Sequence, residues 1–98
     1  MSHHVQIPQI MAMVAAGGPK PGWAHYATCA PMTGPDRERF FPTRGEDPRE
    51  AAKVCEMCPV RAQCLAEALV RDERWGVWGG MTTRQRDHLA RGFYEAAS

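Results

Sequence analysis

The stretch "VCEMCPVRAQC", residues 54–64, gathers three of the chain's four cysteines around Pro59 and restricts the folds that can accommodate them. On one unbroken α-helix Cys55 and Cys58 would share a face, but Cys55 and Cys64 would stand about 13.5 Å apart along the axis. A metal centre with bonds of about 2.3 Å could not then collect all three sulfurs. The chain must therefore bend between them. Pro59 supplies the bend, because its ring disfavours the α conformation at Cys58 while suiting Pro59 itself to the first position of a new helix. The pattern predicts helix, corner, helix, with the three thiols converging at the corner and Cys29 joining from upstream.

A chain of 98 residues suits one small domain. A core of that size rarely supplies more than about 3–5 kcal/mol, so small domains commonly carry a disulfide or metal staple, and the four cysteines are the candidates for it. The formal net charge of +1 argues against a purely electrostatic nucleic-acid binder and equally against an acidic solvating tail. No segment approaches the roughly 18 continuous apolar residues of a membrane helix, so no membrane partner is expected. The opening "MSHHVQIPQIMAMVAAGG" has only a short apolar run, from Ile10 to Ala16, with no basic residues leading into it. No secretory signal is expected, and a reducing cytoplasm is the predicted compartment. There a Cys-x-x-Cys motif points to metal binding or catalysis rather than to a structural disulfide.

The segment "GGPKPG", residues 17–22, reads as a helix-breaking linker, which makes residues 1–22 a flexible arm and residues 23–98 the domain. In the domain, "WAHYATCA" predicts a short helix ended by Pro31, and "DRERFFPTRGEDP" is mostly connection. Asp47 caps the next helix, with Pro48 at its first position and Glu50 placed to complete a capping-box variant. A further helix runs from Pro59 to Arg71, with Val60, Cys64, Leu65 and Ala68 on one face. "GVWGG" breaks the chain, and a last helix follows, opened by a Thr82–Gln85 capping box, with Leu89 inward and Gly92 at its end. The predicted fold is all-α, a small bundle of about four short helices organised around the cysteines.

The spacing Cys29-x25-Cys55-x2-Cys58-x5-Cys64 favours a metal or a cluster. A structural zinc site commonly uses two close ligand pairs, and the second half here has the wrong length for that, although zinc stays open. Iron–sulfur clusters also take four thiolates and tolerate irregular spacing, being larger than one ion. Cys55-Glu56-Met57-Cys58 has the outline of a dithiol oxidoreductase motif, yet its first cysteine falls late in a helix, where the dipole disfavours a thiolate. His25 and His88 read as surface or half-buried residues, since four cysteines already complete a site.

Four motifs stand in order: the tryptophan and cysteine of Trp23 to Cys29, "FFP" at Phe40 to Pro42, "VCEMCPVRAQCLAEAL" at 54–69, and "GVWGG" at 76–80. In these the chain closely resembles the WhiB-like family of actinobacteria and their phages, over about two-thirds of its length. The resemblance implies an all-helical protein holding a [4Fe–4S] cluster through Cys29, Cys55, Cys58 and Cys64. It further implies a redox-responsive transcriptional regulator, not an enzyme, that binds the carboxy-terminal domain of the principal sigma factor of RNA polymerase. No small-molecule substrate is expected. A zinc-stabilised interaction module and a disulfide reductase, a role also suggested for apo forms in this family, are the alternatives.

The aromatic residues suit such a partner, because aromatic anchors dominate interface hot spots. Trp23 is one such group, and Phe40, Phe41 and Trp78 match family positions on the sigma-facing surface. Gly76, Gly79 and Gly80 allow the turn to present Trp78, whereas Trp75 is expected to pack around the cysteine centre. The last segment departs from the basic-tailed family pattern, since Met81 to Ser98 carries Arg84, Arg86 and Arg91 against Asp87 and Glu95. These arginines are candidates for phosphate contact, and promoter DNA is expected as a secondary partner, reached through the tether that sigma binding provides.

Overall fold

The computed structural model describes residues 7–97, and side-chain environments as far as residue 92. Five α-helices and one 3₁₀ turn follow in order: α1 (Ile7–Ala15), the 3₁₀ turn (Trp23–Tyr26), α2 (Gly34–Glu38), α3 (Arg49–Glu56), α4 (Arg61–Arg71) and α5 (Thr83–Ala97). The all-α class predicted from the sequence is the one observed. Among the described residues the only extended pairing is an isolated antiparallel bridge between Trp78 and Met81. None of the described helices is long and apolar enough to cross a membrane.

The amino-terminal segment is where expectation and structure differ most. Its residues 1–6 lie outside the described part, but residues 7–15 form a helix that packs along α4 instead of standing free. Ile10 is fully buried against Ala62, Leu65 and Ala66, and Met13, Val14, Leu69 and Met81 close over the contact. The apolar positions 10, 13 and 14 are spaced for one helical face, so burying that face holds α1 in place. The "GG" after it then acts as a helix stop. Gly17, at φ 90°, lets the Gly18 and Gly17 amides donate to the Met13 and Val14 carbonyls at 2.8 and 3.0 Å, which is a Schellman termination.

The corner at Pro59 forms as the spacing requires. Helix α3 ends at Glu56, the Cys58 amide donates to the Cys55 carbonyl at 3.1 Å, and α4 starts at Arg61, two residues later than Pro59 itself. Asp47 caps α3 by accepting from the Arg49 amide at 2.9 Å, while Glu50 faces Lys53 rather than reaching back. Helix α4 closes on Asp72 in the left-handed region, φ 50°, where the Glu73 amide donates to the Ala68 carbonyl. The capping box of α5 is present in both directions. The Thr82 amide donates to Gln85 Oε1 at 2.9 Å and the Gln85 amide donates to Thr82 Oγ1 at 3.3 Å. Gly92 does not end α5, which continues to Ala97; a single helix glycine costs only about 1 kcal/mol relative to alanine.

A second apolar cluster lies across α4 from α1. Phe40, Ala51, Cys55 and Val77 are its buried members, with Cys29, Met32 and Val54 packed around them. The Val77 amide donates to the Phe40 carbonyl at 2.6 Å, so the "GVWGG" segment is fastened to the "FFP" segment by backbone as well as by side chain.

Candidate four-cysteine centre

Each cysteine comes from a different local structure. Cys29 sits in the turn after Trp23–Tyr26, Cys55 in the last turn of α3, Cys58 in the corner, and Cys64 one turn into α4. Cys55 and Cys58 are buried and Cys29 and Cys64 half-buried, and none is in a disulfide. All four line one cavity of about 620 Å³, whose wall also includes Trp23, Phe40, Phe41 and Trp78. The fold therefore collects the four cysteines that the sequence pattern singled out. Among the described residues, no three His, Cys, Asp or Glu side chains are close enough together to hold a single metal ion.

Burial dominates the chemistry of these thiols. It pushes Cys55 up to about 11 and Cys64 up to about 12, against the pull of an amide hydrogen bond at each sulfur and with a further push from the neighbouring cysteines. At neutral pH both therefore stay protonated unless a cation takes their charge, which works against Cys55 as an attacking thiolate. The amides come from the glycine turn. Gly80 donates to Cys55 and Gly79 to Cys64. Arg37, Arg61 and Arg71 also border the cavity, against Glu67 alone among acidic residues. Four thiols, two sulfur-directed amides and an excess of cationic side chains suit a large anionic group.

The turn itself is shaped for this position. Trp78 and Met81 exchange backbone hydrogen bonds at 3.0 Å in each direction. Gly79 and Gly80 between them have φ 57° and 80°, the pattern of a type I′ turn. There is no room for a side chain at Gly79, where a Cβ would lie 2.3 Å from Leu65 Cγ, and little at Gly80, where one would lie 3.0 Å from an Arg61 guanidinium nitrogen and 3.3 Å from Cys55 Cβ. Gly76, at φ 85°, is equally constrained, with a Cβ there only 2.8 Å from the Phe41 ring.

Several site residues predicted from the sequence change their roles. Phe40 is buried, 7% exposed, and belongs to the core behind the cysteines, so it is not a surface contact; Phe41 next to it is 48% exposed. Trp75 is not packed against the centre as expected but is 78% exposed. It precedes Gly76, whose own backbone lies against the Phe41 ring, and its carbonyl accepts from the Trp78 indole at 3.0 Å. Trp23 and Trp78 are half-buried.

Arg86 is the clearest correction. It is 2% exposed, and its guanidinium donates to the carbonyls of Gly76, Met81 and Glu73 at 3.0, 2.7 and 2.8 Å. A side chain spent in this way inside the fold cannot reach a phosphate. Arg84 and Arg91 are exposed on α5 and, with His88 and Arg61, line a second cavity of about 710 Å³ beside Gly80 and Met81. Sequence reasoning did not single out Arg61; its position between Pro59 and Cys64 was the available signal. Nothing local distinguished Arg86 from its exposed neighbours.

Residues 23–89 match the family described as Transcription factor WhiB. The transcriptional regulator WhiB of Streptomyces coelicolor is 50% identical over 68 residues, covering 69% of this chain and 75% of that protein. The transcriptional regulator WhiB2 of Mycobacterium tuberculosis is 49% identical over 70 residues, 71% of this chain and 75% of the relative. WhiB4 of the same species is 45% identical over 76 residues, 78% of this chain and 61% of the relative. The segment that carries the four cysteines and the glycine turn is thus the segment shared with proteins named as transcriptional regulators, and the chain belongs to the WhiB family of transcription factors.

Proposed function

We propose that the chain is an iron–sulfur transcriptional regulator that holds a [4Fe–4S] cluster on Cys29, Cys55, Cys58 and Cys64 and binds the carboxy-terminal domain of the principal sigma factor. The observation that carries this reading is the single cavity shared by the four thiols and by Trp23, Phe41 and Trp78. The four thiols converge on one cavity of about 620 Å³, and their irregular spacing suits a cluster, which is larger than one ion. When bound, the cluster supplies a redox-active, oxidant-sensitive centre with thiolate ligands. The protein's own residues do the rest. The cysteines tie the Trp23 turn, the corner and α4 together, Phe40 and Val77 fix the glycine segment behind them, and Phe41, Trp75 and Trp78 present aromatic surface next to that tie. Trp75 thereby joins the partner-binding set. Ligand loss frees the Cys29 turn from α4 and so alters the surface offered to sigma.

Phosphate contact falls to Arg84 and Arg91, seven residues apart on α5 and exposed. Two arginines give weak, salt-sensitive binding, so promoter DNA is engaged once sigma holds the protein nearby.

Anaerobic co-purification with a sigma carboxy-terminal domain tests the reading, with iron, sulfide and zinc measured on the complex. About four irons and four sulfides per chain are expected, as in a four-thiolate cluster. Phe41→Ala and Trp78→Ala should each weaken the complex by roughly 30-fold, as loss of a hot-spot aromatic does. A colourless, zinc-loaded protein that does not bind sigma would overturn cofactor and partner together.

A further inference from the structure

Arg61 lies where the cysteine centre, the glycine turn and the α5 cavity meet. Its Nε donates to the Gly79 carbonyl at 2.8 Å, across eighteen residues of sequence. The turn's own pairing uses the amides of Trp78 and Met81. Those of Gly79 and Gly80 point instead at the sulfurs of Cys64 and Cys55. Gly79 is too tightly packed against Leu65 and the Arg61 carbonyl for a side chain, so the turn sits directly on α4.

We propose that Arg61 is a positioning residue that couples the redox poise of the four-cysteine centre to the Trp78 turn, by holding the Gly79 carbonyl so that the Gly79 and Gly80 amides stay aimed at the ligand sulfurs. This rests on the iron–sulfur reading above. Amide hydrogen bonds to ligand sulfur stabilise the additional negative charge of the one-electron-reduced state, and so raise the reduction potential. Trp78 belongs to the same turn and, in the reading above, contacts the partner. A partner that immobilises Trp78 therefore also fixes the amides, and by thermodynamic reciprocity the more reduced centre binds that partner more tightly.

Arg61→Gln and Arg61→Met separate positioning from charge. Both remove the guanidinium charge, but Gln places a donor nitrogen the same number of bonds from the backbone as Arg Nε, whereas Met fills similar volume with no donor. The measurement is an anaerobic dithionite titration of each iron-loaded protein, alone and with the sigma domain. Relative to Arg61→Gln, Arg61→Met should disfavour reduction about tenfold, equivalent to about 59 mV for one electron. The upward shift on adding sigma should persist in Arg61→Gln and shrink in Arg61→Met. Equal potentials and equal sigma-induced shifts in the two variants would overturn the proposal while leaving the iron–sulfur reading intact. A wild-type chain without iron would overturn both. Amide exchange in the wild type provides a check that needs no variant: the Gly79 and Gly80 amides should be protected in the iron-loaded protein and exchange faster once iron is stripped. Free exchange of both amides in the loaded protein would also defeat the proposal.

Discussion

The two sides of α4 are built on different principles. Toward α1 the contact is apolar throughout, with Ile10, Leu65 and Ala66 fully buried and no polar group needed to hold them. Toward the cysteines, α4 faces a cavity, four free thiols and a glycine turn held by arginines. The first side is complete with the chain's own side chains. The second carries four thiols and relies on directional bonds between Arg61, Arg86 and backbone carbonyls. Apolar packing degrades gradually when trimmed, whereas a buried charged donor that is removed leaves several acceptors unsatisfied at once. One helix thus joins an apolar support to a side built from thiols and directional bonds.

The strongest test of this contrast is Arg86→Ala. The guanidinium fastens Glu73, Gly76 and Met81 to the start of α5, and its removal strands the Glu73 and Gly76 carbonyls in a site that water does not readily enter, leaving Met81 only its bond from the Trp78 amide. The expected cost is about 3–5 kcal/mol, in the range for losing one partner of a buried charged contact. Hydrogen exchange should locate the damage at residues 73–81, with α1 and α4 still protected. If stability were unchanged and only DNA binding fell, Arg86 would be a surface contact and the polar side would not depend on it.

Trimming the other side should do less and act elsewhere. Ile10→Ala removes the central apolar contact between α1 and α4, for an expected loss of about 2–3 kcal/mol, the lower part of the range for such truncations because α1 is terminal. Iron content and sigma affinity should stay at wild-type levels. A variant that lost iron as well as stability would show that the two sides of α4 are not separable.

What could be read from the sequence follows the same division between local and distant causes. The Thr82–Gln85 box, the Asp47 cap and the corner at Pro59 were legible because each is settled within a few residues. The four-cysteine set was legible because thiols at that spacing have few other uses. Phe40 and Phe41 could not be told apart, since which of two adjacent aromatics turns inward depends on Val77, thirty-seven residues after Phe40. Arg86 looked like Arg84 and Arg91 because its acceptors are carbonyls, which any sequence provides. "GGPKPG" reads as a linker and so makes residues 1–22 a flexible arm, and only the apolar face of α4 shows that this linker also lets α1 fold back.

The finest division falls between two neighbours on α5. Arg86 and Asp87 both reach the 73–76 segment, one from inside and one from the surface. Asp87 accepts from both terminal nitrogens of Arg74, at 2.6 and 3.3 Å, and Arg74's hydrogen bond holds its carboxyl below the usual carboxylate range. A depressed pKa means that the contribution is complete above the ordinary carboxylate pKa and is lost as pH falls through the lower folded value. At neutral pH Asp87→Asn should therefore destabilise the fold, but by the smallest amount of the three changes, because both partners are open to solvent. Thermal melts of wild type and Asp87→Asn should differ slightly in low salt and converge toward 1 M, where the screening length is about 3 Å. Arg86→Ala should show no such convergence, since salt does not reach a buried guanidinium bound to carbonyls. If the Asp87→Asn difference survived high salt unchanged, the surface bond would belong with the buried staple, and the directional side of the molecule would extend to the outer edge of α5.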